Sequence, residues 1–217
     1  DNSLVHITRK KITDSILVLD GDDVIEFSGG NLKYYNESGK RVNAKISSGA
    51  SVVVNGRIKD TELSAILNSV SGRMRLYSAY GKEYDTIIIE NYVTMVVDNI
   101  NSVEKRIYGK YNSGFSLNLE AETVKYYLED GLEADIGYVS EDGVISAVVS
   151  EDGETIIIYV CGATVNGRID AVSESEGSTR IIVNGQSYEA ERGFKDKQLP
   201  GVKIGDEGTL KLDLGGK

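Results

Sequence analysis

Residues 72–98 read GRMRLYSAYGKEYDTIIIENYVTMVVD, and this stretch decides the fold that the sequence predicts. Residues 73–77 alternate charged and apolar side chains, which is the pattern of a half-buried strand. Gly81 tolerates positive φ and therefore suits the turn that follows. Residues 86–97 then run β-branched and apolar almost without a break, which predicts a second strand. The stretch indicates an all-β protein and contains no pattern typical of an active site.

The second of these predicted strands is unusually long. Residues 86–97 are twelve residues, whereas strands are usually about five or six residues long. We therefore expect one end to pair with residues 73–77 and the other end to pair in a different sheet. Such a strand would be shared by a helix-containing domain and the meander that follows it.

Turn residues divide the rest of the chain into short strands. DGDD at 20–23 predicts a hairpin between the apolar segments on its two sides. SEDG occurs at 140–143 and again at 150–153, and two such turns around a six-residue apolar segment are typical of a β-meander. Asn184 and Gly185 predict a hairpin with a type I′ turn. The five-residue sequence VNGRI occurs at 54–58 and 165–169, which indicates shared turn chemistry rather than a repeat array.

One segment has helical periodicity. Residues 61–70 read TELSAILNSV and place apolar side chains at the spacing of a single helix face. Asp60 can cap the first turn, and Gly72 follows the end. A helix this short is marginal alone, so we expect it to pack on a sheet.

The predicted fold class is therefore all-β, mainly antiparallel, built of small barrels and meanders, with one short α-helix near 61–70. We predict three domains. Residues 1–100 form a β domain with a helix insertion, and residues 101–160 form a meander that shares strand 86–97. Residues 161–217 form a small SH3-like or OB-like barrel, because they contain about five strand segments.

Charge and hydropathy exclude some partners. The 217-residue chain has 34 acidic and 24 basic residues and a formal charge of −10, so it has no excess of cations with which to replace phosphate counterions. We therefore expect no nucleic-acid partner. No apolar run approaches the ~20 residues that cross a bilayer, so we expect no membrane partner. The chain begins at Asp1 without a methionine, and we expect it to be part of a longer protein.

The residues that usually carry catalysis or bind metals are sparse. Cys161 is the single cysteine, which excludes an intrachain disulfide, and we expect it to be a small buried hydrophobe. His6 is the single histidine, which excludes a metal site built from paired histidines. The Asp and Glu residues of the SEDG turns are explained by turn geometry. We therefore predict a non-enzymatic protein with no catalytic residues, no cofactor and no metal site.

Several blocks of the sequence match the pattern of a known family. They are VLDGDDVIEFS at 18–28, VVVNGR at 52–57, the stretch at 72–98, and VNGRIDAV, TRIIVNGQSYEA and VKIGDEGTLKLDLGG between 165 and 216. Together they resemble the repeated extracellular region of clostridial surface proteins that carry S-layer homology (SLH) modules. In that family the central turn is often rich in Asp and Gly, like a calcium loop. Residues 78–82 (SAYGK) contain no carboxylate, so we do not expect calcium at this turn.

The resemblance implies a structural or spacer region of a secreted, cell-wall-anchored bacterial surface protein, which would lie outside the cell. Its partners would be other surface-layer or cell-wall components, including further copies of itself. An alternative is a module that binds carbohydrate or another surface polymer, for which exposed tyrosines are the candidates: Tyr34, Tyr35, Tyr126 and Tyr127. Adjacent tyrosines in a strand usually point to opposite faces, which favours the structural interpretation. A phage tail or baseplate β module is a further alternative.

Overall fold

A computed structural model describes residues 16–60, 62–79, 81–111, 115–175, 178–191, 193–194 and 201–216. The structure is mostly β, as the sequence predicts, with one short α-helix in the described residues. The chain divides into two compact units, one ending at Asn91 and the other beginning at Tyr92. The three domains that the sequence predicts, with boundaries after residues 100 and 160, stay a prediction. His6 and the rest of residues 1–15 lie outside the described residues.

The elements of the first unit are β1 (Ile16–Asp20), β2 (Val24–Ser28), β3 (Asn31–Tyr35), β4 (Arg41–Val54), β5 (Arg57–Lys59), α1 (Leu63–Leu67), β6 (Gly72–Tyr77) and β7 (Tyr84–Asn91). The second unit contains β8 (Val93–Asn101), β9 (Arg106–Gly109), β10 (Ser116–Asn118), β11 (Thr123–Leu128), β12 (Glu133–Ala134), β13 (Val144–Val149) and β14 (Thr155–Cys161). It continues with β15 (Thr164–Ser175), β16 (Ser178–Val183), β17 (Gln186–Glu189) and β18 (Glu207–Lys211).

The first sheet has the strand order β1-β6-β7-β4-β3-β2, and β5 also pairs with β4. Strand β4 is fourteen residues long and changes partner along its length. Its first half pairs antiparallel with β3, and its second half pairs parallel with β7. The residues that alternate inward from these strands form one core with α1, and its fully buried members include Leu32, Leu67, Met74, Leu76, Ile87 and Ile89.

The DGDD sequence does not form the predicted hairpin. β1 pairs with β6, and β2 pairs with β3, so the two strands beside DGDD are not partners. The reason is local: a side-chain oxygen of Asp20 accepts a hydrogen bond from the Asp22 N–H at 3.3 Å. This bond starts a 3₁₀ turn at Gly21–Asp23, which leads the chain out of β1 and into another part of the sheet.

The predicted helix is present but shorter than expected. α1 covers Leu63–Leu67, and its buried residue is Leu67. Glu62, not Asp60, occupies the N-cap position, and its side chain makes no capping bond. The helix therefore depends on packing rather than on a cap. No helix in the described part of the chain is both long and apolar enough to span a membrane.

The stretch at 86–97 is two strands rather than one. β7 ends at Asn91 and β8 begins at Val93, in a different sheet. A side-chain oxygen of Asn55 accepts a hydrogen bond from the Asn91 N–H at 2.8 Å, and the Asn55 amide donates to the Asn91 carbonyl at 3.4 Å. The Asn91 side chain in turn accepts the Ser71 N–H at 2.9 Å. The Asn55 side chain thus bonds both the N–H and the carbonyl of Asn91. Because these backbone groups cannot then pair with a neighbouring strand, the β ladder ends at Asn91.

The second sheet has the order β10-β9-β8-β13-β14-β11-β12. Its pairs are antiparallel except β11 with β14, which run parallel. The second SEDG turn joins β13 to β14 as a hairpin, as predicted. One face carries a separate core whose fully buried residues include Met95, Val97, Ile107, Ala147 and Ile158.

The third sheet has the order β17-β16-β15-β18 and its own core, which includes Ile181 and Val183. β15 pairs with β18 through its first residues and with β16 through its last. Asn184 and Gly185 both have positive φ, which confirms the predicted type I′ hairpin between β16 and β17.

The two copies of VNGRI lie in different structures. Asn55 and Gly56 form the turn between β4 and β5, whereas Asn166 and Gly167 lie inside β15. A Cβ atom on Gly167 would lie 2.5 Å from Nδ2 of Asn184 and 2.7 Å from Cγ1 of Val183. The second glycine is therefore required by a close approach, not by a turn.

We predict that Gly167→Ala destabilises the second unit by about 1–3 kcal/mol, because an added methyl group must displace the Asn184 amide from the carbonyl it bonds. Gly208→Ala is the matched control. Gly208 is the cross-strand partner of Gly167, and a Cβ there meets no atom within 4 Å. Urea unfolding followed by circular dichroism measures both variants. Equal destabilisation of the two would contradict this explanation.

Candidate functional site

The first candidate pair of tyrosines lies in β3 and points to opposite faces. Tyr34 is 8% exposed and belongs to the first core, whereas Tyr35 is 37% exposed. Burial, with a smaller contribution from Tyr84, raises the pKa of the Tyr34 hydroxyl above its ordinary value. The Arg41 guanidinium lies 5.7 Å from the centre of the Tyr35 ring and donates to its hydroxyl at 3.3 Å. Arg41 therefore contacts both the ring face and the hydroxyl of Tyr35.

The second candidate pair also points to opposite faces. Tyr126 packs against the core of the second sheet, and burial raises the pKa of its hydroxyl. Tyr127 points to the other face, where its ring centre lies 6.0 Å from that of Tyr159. The Tyr159 ring lies 6.1 Å from that of Tyr92 in an edge-to-face arrangement. We call Tyr92, Tyr127 and Tyr159 the tyrosine cluster.

The tyrosine cluster follows from the register of the second sheet. Tyr127 and Tyr159 are direct partners in the parallel pair β11–β14, so their side chains emerge side by side. Tyr159 and Tyr92 were not predicted as site residues. No sequence pattern indicates them, because only the parallel pairing of β11 with β14 brings Tyr159 beside Tyr127.

The cluster has one covered side and one open side. Ser146 pairs with Tyr159 across the sheet and is fully buried. Its hydroxyl lies 3.0 Å from that of Thr94 and accepts a hydrogen bond from the Leu214 N–H at 3.4 Å. The segment near Leu214 therefore covers this side. On the other side, exposed Glu133 pairs with Tyr127 in register. Half-buried rings beside a carboxylate can stack against and hydrogen bond to a polyhydroxylated ligand.

Polar contacts join the second and third sheets. A carboxylate oxygen of Glu191 accepts the Val96 N–H at 3.0 Å, and the Phe194 ring packs edge-to-face on Tyr111 with ring centres 5.5 Å apart. The Lys211 ammonium donates to the Asp142 carbonyl at 2.6 Å. These contacts lie within the second unit and fix its two sheets together.

An exposed ion pair lies beside this junction. The Asp142 carboxylate accepts a hydrogen bond from the Lys110 ammonium. This bond holds the pKa of the Asp142 carboxyl below its usual value and raises the pKa of Lys110. Both side chains are accessible to solvent, so the pair contributes little to stability.

The second SEDG turn uses its Asp carboxylate locally, whereas the Asp142 carboxylate of the first turn pairs with distant Lys110. In the second SEDG turn, a carboxylate oxygen of Asp152 accepts from the Ser150 hydroxyl at 2.5 Å and from the Glu154 N–H at 3.0 Å. In the first, Asp142 adopts positive φ. Within the described ranges, no three His, Cys, Asp or Glu side chains are grouped so as to hold a metal ion. Tyr80, in the turn at 78–82, lies outside those ranges.

A groove of about 390 Å³ lies between β2 and α1. The Asn68 side chain bridges it, accepting the Phe27 N–H at 2.6 Å and donating to the Phe27 carbonyl at 3.4 Å. The Asn68 side chain thus bonds the Phe27 backbone groups that a neighbouring strand would otherwise bond. It satisfies backbone groups that would otherwise face solvent at the edge of the sheet.

No protein-family model and no curated protein matches this chain.

Cys161 lies at the end of β14, beside the covered side of the tyrosine cluster, and is half-buried rather than buried as the sequence predicted. Its sulfur lies 3.8 Å from the Ser146 hydroxyl and 3.6 Å from the Tyr159 carbonyl. Burial raises the pKa of the thiol from 9.0 to about 11. Since the thiolate is the nucleophile, the folded protein holds this cysteine in its unreactive form near neutral pH.

We predict that Cys161 in the folded protein reacts with a thiol reagent at pH 8 roughly a hundredfold more slowly than in urea, because the raised pKa lowers its thiolate fraction by that factor. The measurement is the rate of disulfide exchange with an aromatic disulfide reagent. A Val103→Cys, Cys161→Ser double variant is the control, since Val103 is 94% exposed. Equal rates for native and unfolded wild type would contradict the burial of the thiol.

Proposed function

We propose that this chain is a non-enzymatic structural spacer region of a secreted, cell-wall-anchored bacterial surface protein of the S-layer type. The observation that carries the proposal is the succession of three sheets, each with a separate hydrophobic core. A spacer requires modules that hold their shape without a ligand, and a core for each sheet meets that requirement. The pattern shared with the repeated region of clostridial SLH proteins supports the same function.

The connections between these sheets also support a spacer. One residue, Tyr92, lies between β7 and β8, and two residues lie between β14 and β15. Within the second unit, the contacts of Glu191 and Phe194 add to the covalent connection. Surface charge suits an extracellular array as well, because a formal charge of −10 favours solubility.

A second candidate function is binding of a cell-wall polysaccharide at the tyrosine cluster. The observation that favours it is the row of half-buried rings at Tyr127 and Tyr159 with Glu133 beside it. Aromatic rings stack on the apolar faces of sugars, and a carboxylate accepts hydrogen bonds from sugar hydroxyls. In this alternative, Tyr127 contacts the ligand, whereas Tyr34 is buried in the first core and half-buried Tyr126 packs against the second.

We predict that antibodies raised against the chain label intact cells of the source organism, because a wall-anchored spacer lies outside the membrane. Flow cytometry of intact and lysed cells measures this, with an antibody against a cytosolic protein as the control. The reading frame that encodes the chain should also contain a signal peptide or SLH modules. Labelling seen only after lysis would contradict the proposed location.

Mixing the purified chain with cell walls distinguishes the two candidate functions. A spacer without anchoring modules stays in the supernatant when mixed with purified cell walls and centrifuged. Binding at the tyrosine cluster would instead carry the chain into the pellet, and Tyr127→Ala would release it. Tyr35→Ala is the matched control, because Tyr35 is an exposed tyrosine outside the cluster.

A further inference from the structure

The places where the chain enters and leaves each sheet determine how tension along the chain would load that sheet. In an antiparallel pair the inter-strand hydrogen bonds lie perpendicular to the strands. A pull along the strands from opposite ends of the pair therefore loads all of its bonds together, which is loading in shear. A pull on two residues at the same end of the pair instead separates one bonded pair at a time, which is unzipping.

The first sheet is loaded in shear. The chain enters β1 at Ile16 and leaves β7 at Asn91, and β6 lies between these two strands and is antiparallel to both. Ile16 pairs with Tyr77 at one end of β6. Asn91 pairs with Gly72 at the other end. A pull on Ile16 and Asn91 therefore acts at once on the whole ladder between β1 and β6.

The second sheet is loaded in the same way. The chain enters β8 at Val93 and leaves β14 at Cys161, and β13 lies between these strands and is antiparallel to both. Val93 pairs with Ala147 in the second half of β13. Cys161 pairs with Val144, the first residue of β13. The pull again runs along the strands from opposite ends, so the ladders on both sides of β13 share it.

The third sheet is loaded differently. The chain enters β15 at Thr164 and leaves β18 at Lys211, and these two residues are direct cross-strand partners. The rest of the ladder runs away from them to the pair of Arg168 and Glu207. A pull on Thr164 and Lys211 therefore opens the ladder pair by pair from this end, and no two pairs share the load.

The contacts that tie the third sheet to the second are spread along the chain. Those of Lys211 and Leu214 lie at the end that is pulled. Those of Glu191 and Phe194 lie before β18. Because each is made by one side chain or one N–H group, a pull from the end of the chain breaks them in succession. They add no resistance of the kind that a ladder gives in shear.

Unzipping of β18 also opens the core of the third sheet. Leu210 of β18 and Leu212, which follows that strand, pack in this core with Ile181 and Val183 of β16. Their removal exposes the apolar side chains of the three remaining strands to water, which destabilises those strands. The loss of β18 is therefore followed by the loss of the sheet.

We infer that the third sheet is an extensible element, which opens under tension along the chain at a force that the first two sheets withstand. Residues 164–211 are 48 residues. A fully extended chain spans about 3.3–3.6 Å for each residue, so opening lengthens the protein by about 160–170 Å. A spacer built in this way yields to a pull by lengthening, and it keeps the cores of its first two sheets.

This inference deepens the proposed function and rests on it for its biological role, because a spacer on a cell surface is pulled by what it holds. Single-molecule force spectroscopy of the full chain, held by its two ends in optical tweezers, tests it. We predict that the first extension is at most about 170 Å. The first two sheets should open later, at several-fold higher force, with extensions of up to about 230–270 Å each.

A change in the direction of the pull provides a matched control on the same two strands. In a Cys161→Ser background, handles on Thr164→Cys and Lys211→Cys unzip β15 from β18. Handles on Thr164→Cys and Glu207→Cys load the same ladder in shear, because Glu207 lies at its far end. All three side chains are exposed, so these substitutions leave the core intact. We predict a several-fold higher opening force for the second pair of handles.

Two results overturn the inference. One is an equal opening force for the two pairs of handles, and the other is a first extension of the full chain that has the length of the first or second sheet. A chain that labels intact cells but opens its third sheet last contradicts this inference alone. A chain that opens its third sheet first but is found only inside the cell contradicts the proposed function alone.

Discussion

The hydrogen bonds between Asn55 and Asn91 determine where the first unit ends. The Asn55 side chain takes both backbone groups of Asn91, and the Asn55 N–H donates to the Ile89 carbonyl at 2.9 Å. Asn55 can do this because it adopts positive φ in the turn after β4. The turn after β4 thus ends β7, and the chain beyond Asn91 starts the second sheet with β8. Without that break, residues 86–97 would favour one continuous strand.

Long strands that change partner enclose the cores. β4 pairs with β3 and then with β7, and β15 pairs with β18 and then with β16. A strand shared in this way curves two parts of a sheet around one set of inward side chains. Separate apolar cores follow from this pairing. This organisation is the physical basis of the proposed spacer function.

Local sequence patterns predicted the local structure well. The alternation in residues 73–77 produced β6, with Met74 and Leu76 fully buried, and Asn184 and Gly185 produced a type I′ turn. What the patterns missed depends on distant partners. The DGDD hairpin was wrong because Asp20 bonds its own turn and the adjacent strands pair elsewhere. The pairing of Tyr127 with Tyr159 was not predicted, because nothing in the sequence of β11 or of β14 indicates that the two strands pair in parallel.

The chain consists of two units with separate cores, one ending at Asn91 and the other beginning at Tyr92. The most direct test is to express residues 1–91 and residues 92–217 as separate chains and to record amide NMR spectra of both. We predict that each folds alone and that its resonances match those of the full chain, except for residues near Asn91 and Tyr92. An unfolded spectrum from either segment under conditions in which the full chain is folded would contradict the claim.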